Sequence, residues 1–260
     1  MRGFYKLPML RFSGHLLAIV TLTLLTQLGG VAWLIAIAFR LRWAVFVAVL
    51  VISYAGLSLA AIWAAPIFGR TALSCFENGP LQVQNPLYCA LNRNYVTPQM
   101  HAVLDDTARA MDRQFPGTQT LVLDANFPFF DGFPLLPHRS HDDGKKADLA
   151  FYYQLDGRYL PGAVRAPMGY FAFEQGPTDC PPKLLTLRWD LNFVQNWWRD
   201  ITPEPRRNIS LINMLASDGR VGKIFVEPHL VDDWGVTHSK VRFQGCRAAR
   251  HDDHIHLQLQ

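Results

Sequence analysis

The chain has 260 residues, half of them hydrophobic, with 25 Lys and Arg against 21 Asp and Glu for a net charge of +4. An excess this mild does not call for a nucleic-acid partner and suits an anionic membrane face or an acidic polymer equally well. The first quarter is so apolar that it must be set aside before a soluble fold is drawn, which leaves one domain of ordinary size.

Residues 15–39 run almost without charge, Arg40 and Arg42 interrupt, and residues 43–68 carry no charged side chain. Both runs exceed the ~20 residues a helix needs to cross the hydrocarbon core, so two transmembrane helices over residues 1–68 are expected. A cleaved signal peptide is disfavoured, because its apolar core is only ~7–15 residues long. Thr26, Gln27, Gly29 and Gly30 weaken the first run, and the small residues among them let helices approach closely. Basic residues lie both in the tail (Arg2, Lys6, Arg11) and in the turn (Arg40, Arg42). Taken alone, that distribution slightly favours a cytoplasmic tail and a cytoplasmic domain.

The cysteines argue for the other side. Cys75, Cys89, Cys180 and Cys246 all follow the second run, are even in number and show no CxxC spacing, which suits two disulfides in an oxidising compartment. Four cysteines allow three connectivities. Proximity to the two ends of the domain selects Cys75 with Cys89 and Cys180 with Cys246.

Residues 69–96 are rich in Gly, Pro and Asn and read as an extended, stapled connector rather than a helix. The domain proper then covers 97–260. Thr97 and Pro98 supply a cap and first-turn proline, and Met100, Val103, Leu104, Ala108 and Met111 recur at helical spacing, predicting a helix over 98–115. TLVLDANF (120–127) predicts a strand, and the proline-rich segment after it a loop that delivers His138 and His141. ADLAFYYQL (147–155) predicts a second strand with Asp148 at its entrance, and 183–191 a third that leads into a helix through NFVQNWWRDI. Trp197 and Trp198 are expected in the core. A helix over 209–216 stops near Gly219, and KIFVEPHL (223–230) reads as a buried strand.

HIHLQLQ alternates strictly, so His254, His256, Gln258 and Gln260 share one face while Ile255, Leu257 and Leu259 share the other. His141, Asp148 and His256 would give Zn2+ three protein ligands and leave a fourth position open, the arrangement of a catalytic rather than a structural site. His254, two residues before His256 on the same face, is placed to bind a developing oxyanion. His251 and His138 read as histidines that orient ligands. Asp142, Asp143 and Asp252 read as turn formers, and Asp253 as that or as a general base.

At these residues the chain resembles a known family. SHDDGKKADL resembles the SHxxGxxxD signature of the LAS metallopeptidases, which include D-alanyl-D-alanine peptidases, lysostaphin-type enzymes and the hedgehog signalling domain. The pair His138 and His141, with His251, His254 and His256, most resembles the penicillin-insensitive murein endopeptidase branch. LINMLASDGRVGKIFVEPHL is similar to the helix and strand that precede the last zinc ligand there. The likeness covers 97–260, whereas the membrane hairpin and the cysteine-bearing connector depart from the secreted endopeptidase pattern.

The resemblance implies an α+β fold, a small antiparallel sheet with flanking helices, and zinc held by His141, Asp148 and His256. It implies amide hydrolysis in peptidoglycan stem peptides or cross-links, with His254 stabilising the oxyanion and His251 or Asp253 moving the proton. The implied location is the bacterial cytoplasmic membrane, with the domain facing the periplasm or outside. Two rivals stand beside it: a non-catalytic, zinc-containing wall-binding or regulatory module, and a zinc amidohydrolase acting on another peptide.

Overall fold

The structure, a computed structural model, describes residues 6–39, 42–178, 180–181 and 186–260. The first apolar run is not one helix. It forms α1 (Lys6–Thr26) and α2 (Gly29–Ala38), because Gln27 takes a left-handed conformation (φ +63°) and reverses the chain. Gly29 and Gly30 let α2 fold back on α1, since a Cβ at Gly30 would stand 1.9 Å from the Thr23 hydroxyl. The apolar stretches that result, Phe12–Thr26 and Gly29–Ala38, are short of the ~20 residues a crossing requires. Only α3 (Trp43–Ala64) and the 3-10 turn that prolongs it to Phe68 are long and apolar enough, among the described residues, to cross a membrane. The expected pair of spanning helices is therefore corrected to one candidate.

Beyond α3 the order is β1 (Thr71–Ala72), β2 (Leu81–Val83), α4 (Pro86–Ala90), β3 (Tyr95–Val96), α5 (Pro98–Gln114), β4 (Thr120–Val122) and β5 (Lys146–Ala150). Then come β6 (Tyr153–Leu155), β7 (Arg158–Leu160), α6 (Asn192–Gln195), β8 (Thr202–Pro203), α7 (Pro205–Ser217), β9 (Val221–Phe225), α8 (Pro228–Asp233), β10 (Val241–Arg242) and β11 (His254–Leu259). The main sheet runs β10-β9-β11-β5-β4-β2, antiparallel through its centre and parallel at both outer pairs. Two smaller sheets, β1-β3 and β7-β6-β8, are antiparallel. The architecture is thus α+β, with small, largely antiparallel sheets and flanking helices.

One face of the main sheet is the core. Leu149, Ile224, Ile255 and Leu257 point from it into Met100, Val103, Leu104 and Met111 of α5 and Leu211, Ile212 and Leu215 of α7. Both helices start as their sequences require. Thr97 Oγ1 accepts from Met100 N at 3.2 Å, the Glu204 carboxylate accepts from Arg207 N at 2.6 Å, and a proline follows each cap. Each buried leucine or methionine here contributes ~1.5–3 kcal/mol by leaving water.

Several expected elements differ. The strand at 147–155 splits at Phe151 and Tyr152, because the Asn208 side chain bonds both N and O of Tyr152 and turns the chain into a second sheet. The strand at 120–127 ends at Val122, and the one at 223–230 ends at Phe225, where Pro228 opens α8. Thr186–Leu191 carries no strand, and 183–185 lie outside the described residues. Trp197 is exposed rather than in the core, and the helix around it is only Asn192–Gln195. The connector holds a short helix, α4, capped by Asn85. The disulfides pair Cys75 with Cys89 and Cys180 with Cys246.

Candidate metal centre

The face of the main sheet opposite the core carries the site. In the β11–β5 ladder His256 stands directly across from Asp148 and His254 across from Ala150. Cross-strand neighbours hold their Cβ atoms only ~4.5–5.5 Å apart, so this register by itself brings an imidazole and a carboxylate together. His141 reaches the same point from the loop before β5. Its neighbour Gly144 has φ +74° and lies under the Arg70 guanidinium, where a Cβ would meet Nε at 2.6 Å, so only glycine lets the loop close there.

Three donor atoms converge. His141 Nε2 lies 3.1 Å from His256 Nδ1 and 3.2 Å from Asp148 Oδ1, and those two are 2.8 Å apart. A tetrahedral ion with bonds of ~2.0–2.1 Å has ligand–ligand edges of about 3.3 Å, so the three atoms are close to the spacing of one face of such a site. They form a group that can hold a metal ion. His141 Nδ1 donates to the Ala125 carbonyl at 2.7 Å, which leaves Nε2 as the free ligating nitrogen.

All three residues are buried. Burial opposes ionisation of Asp148, but His141 and His254 beside it hold the carboxyl well below its usual range, so it remains an anion. His256 is pushed down to about 4 by burial, reinforced by the charge of His141 and His254, and is therefore neutral. His141 is held above its ordinary value against burial by Asp148, and the same negative field that draws a proton there draws a cation.

Around the ligand atoms lies a cavity of about 160 Å³ walled by Pro137–His141, by Leu187 and by Gln244, Ala248 and Ala249, with His251 and His254 opening into it. His254 Nδ1 donates to Asp253 Oδ1 at 2.5 Å, and Oδ2 of the same carboxylate accepts from Phe171 N at 2.5 Å. Burial would depress His254, yet Asp253 and Asp148 overcome it and raise the imidazole to about 9. His251 is driven the other way by burial and by its histidine neighbours, and its buried Nδ1 has no hydrogen-bond partner among the described residues. Its backbone is fixed by Glu227, which accepts from His251 N at 3.1 Å and pairs with Arg188 through both oxygens. His138 Nδ1 donates to Asp124 Oδ2 at 2.8 Å and stands 3.5 Å from Asp148 Oδ2.

Two residues that carry no motif complete the surroundings. Asp124 receives a bidentate Arg93 at 2.5 and 2.6 Å in addition to His138. The Tyr170 hydroxyl donates to Asp148 Oδ2 at 2.7 Å and accepts from Asp124 N at 3.1 Å, with its ring edge-on to His254. Asp124 ends the TLVLD run as an acid where a strand should stay apolar, which is a signal of sorts. Tyr170 lies in aperiodic PMGYF and offers none. Asp252 and Asp253 are buried rather than solvated turn formers, whereas Asp143 does form a turn, accepting from Lys145 N at 2.9 Å.

A larger cavity, about 300 Å³, lies between β2 and α5 and, among the described residues, brings no comparable donor set together. No family of known proteins matches the chain, and no curated relative matches it.

Proposed function

We propose that the chain is a membrane-anchored, zinc-dependent peptidase of the LAS type that hydrolyses amide bonds in peptidoglycan stem peptides or cross-links. The observation that carries this reading is the convergence of His141 Nε2, Asp148 Oδ1 and His256 Nδ1 at one wall of a cavity into which two further histidines open. Three N/O ligands with room beside them suit zinc in a reactive role better than a closed structural site.

A bound zinc ion supplies Lewis acidity toward a carbonyl and acidifies water at neutral pH. The remaining work falls to the chain. Asp253 fixes the His254 ring through Nδ1, so Nε2 is presented to the cavity, where it donates to oxygen that gains negative charge as an amide carbonyl is attacked. His251 also lines the cavity and is kept neutral by burial, so it is the proposed acceptor of the proton from water and its donor to the leaving amine. Asp253 has both oxygens engaged, which favours an orienting role for it over that of base.

The helix arrangement and the disulfides support an extracytoplasmic location for the site. The α1–α2 reversal lies against the sheet-bearing part, with Gln27 bonded to Phe129, so the start of α1 with Lys6 and Arg11 runs away from it, as does the α2–α3 turn with Arg42. Basic residues therefore gather on the far side, and by the positive-inside rule this favours a cytoplasmic far side and an outward-facing site, the side that the disulfides also favour.

The test is the purified full chain with zinc, incubated with cross-linked peptidoglycan and read by mass spectrometry. New amine and carboxyl termini in the stem peptides support the reading. Stoichiometric zinc with no amide cut points to the non-catalytic wall-binding module, and cleavage of other peptides alone points to a different amidohydrolase.

A further inference from the structure

The contact between the anchor and the sheet-bearing part is not confined to the end of α3, where Ala61 and Ala65 pack with Tyr95. It begins near the middle of the helix. The Tyr54 hydroxyl donates to the Ala90 carbonyl at 2.6 Å, Asn92 Nδ2 donates to that hydroxyl at 3.0 Å and to the Thr26 carbonyl at 3.2 Å, and Gln27 grips both N and O of Phe129. Tyr54 stands eleven residues beyond Trp43, only ~17 Å along the helix at 1.5 Å per residue. The hydrocarbon layer is ~30 Å thick. A bilayer whose far face lies at Arg42 and Trp43 therefore has its near face at about Trp63, well past the first contact. The same comparison along α1 agrees, because Phe12–Thr26 measures ~22 Å before the domain is reached.

The residues at and just beyond that near face, in the boundary with the headgroups, are apolar and exposed. Trp63 and Ile67 are each 84% exposed and Phe130 62%, with Leu87 of α4 and Phe68 also open. Phe68 packs edge-on against Phe129 and Phe130 with ring centroids 4.8 and 5.4 Å away, so loop and helix form one continuous apolar surface. Irregular backbone tolerates such an environment only when its polar groups are satisfied by protein. Gln27 meets that need for Phe129, Oε1 accepting from its N and Nε2 donating to its O.

We infer that the loop around Phe129 and Phe130, with the exposed edge of α4 and the end of α3, is seated in the lipid boundary, so that the sheet-bearing part lies on the bilayer instead of hanging from a tether. The inference rests on the reading of Trp43–Phe68 as a membrane span. The partner is the bilayer itself, at the junction of acyl chains and headgroups. The seated loop continues into His138 and His141, so the same contact holds the chain that feeds the metal centre.

The experiment uses the full chain in phosphatidylcholine–phosphatidylglycerol nanodiscs, with single spin labels introduced by Phe130→Cys, Leu87→Cys, Val51→Cys and Arg158→Cys; the four native cysteines are disulfide-paired and do not label. Collision with oxygen is compared with collision with a water-soluble nickel chelate. Labels at 130 and 87 are expected to shift toward oxygen, as the mid-helix label at 51 does, while the label at 158 stays with the chelate. If 51 favours oxygen but 130 and 87 behave like 158, the seating is wrong and the span stands. If 51 also behaves like 158, the span itself is wrong and the seating falls with it.

Discussion

His256 and Asp148 face each other across the β11–β5 ladder, and this single register pair builds two thirds of the candidate metal centre. A slip of one residue would turn His256 into the core and Leu257 toward the cavity, so the site depends on the pairing as much as on the residues.

Zinc content tests the donor set directly. The purified chain is expected to carry one zinc ion by plasma mass spectrometry, and Asp148→Ala or His256→Ala to lose it. Because ligand at a hundred times Kd stabilises the folded state by about 2.7 kcal/mol, chelation should lower the melting temperature and added zinc restore it. A melting temperature indifferent to zinc rules the site out.

The Asp253–His254 pair separates chemistry from metal binding. His254→Ala should lower kcat on a susceptible amide by ~10²–10³-fold, as loss of an oxyanion donor does, with zinc content unchanged. Asp253→Asn, which keeps the shape but loses the charge that holds the His254 ring, should cost ~10²-fold or more in kcat. Equal activity of both variants and the parent would show that His254 touches nothing that reacts.

Tyr170 acts through Asp148. Removing its hydroxyl leaves Asp148 Oδ2 with one fewer donor, so Tyr170→Phe should weaken zinc binding by ~10–100-fold, measured in competition with a chromophoric chelator. Unchanged affinity would assign Tyr170 to packing alone.

Glu174 gives the fold a pH dependence. Burial pushes its carboxyl from 4.5 up to about 7 against the nearby Arg165 charge, and Asp252, moved in the same direction by burial, reaches about 6. Between the unfolded and folded values the native chain holds the extra proton, so stability is full below about pH 4.5 and falls as pH rises through 7. For Glu174 the loss is on the order of 3 kcal/mol. Urea unfolding at about pH 5 and pH 8 should show this drop, and Glu174→Gln should reduce it, leaving the part that Asp252 contributes. Asp124 and Asp148, both held low, work in the opposite sense and only below the usual carboxylate range.

The Cys180–Cys246 bridge ties the Gln244–Ala249 wall of the cavity to the segment that carries Leu187. Replacing both by serine should destabilise the chain by about 4 kcal/mol on loop-entropy grounds and raise KM more than it lowers kcat, since the metal ligands lie elsewhere. A selective fall in kcat would instead place the wall in the chemistry.

Much of the site was legible because its signals are local. The alternation of HIHLQLQ placed His254 and His256 on one face, and the six-residue spacing with Gly144 let His141 and Asp148 meet. α5 followed from its cap, proline and periodicity. What misled was also local. Residues 15–39 have the composition of a spanning helix, and only the left-handed Gln27, braced by Phe129 over a hundred residues away, breaks the run into two. The strand at 147–155 was cut by Asn208, which lies 56 residues on.

By itself, then, the amino-acid sequence determined which side chains could bind metal, which faces were apolar and that long apolar runs come first in the chain, because period, charge and turn chemistry are properties of neighbours in the chain. Tertiary structure decided the rest: the pairing of His256 with Asp148, the recruitment of Asp124 and Tyr170, the bracing of His254 by Asp253 while His251 Nδ1 has no partner among the described residues, and the single candidate span among those residues. Those depend on which distant segments share a buried surface, where desolvation and register set each group's charge and direction, and no local pattern encodes them.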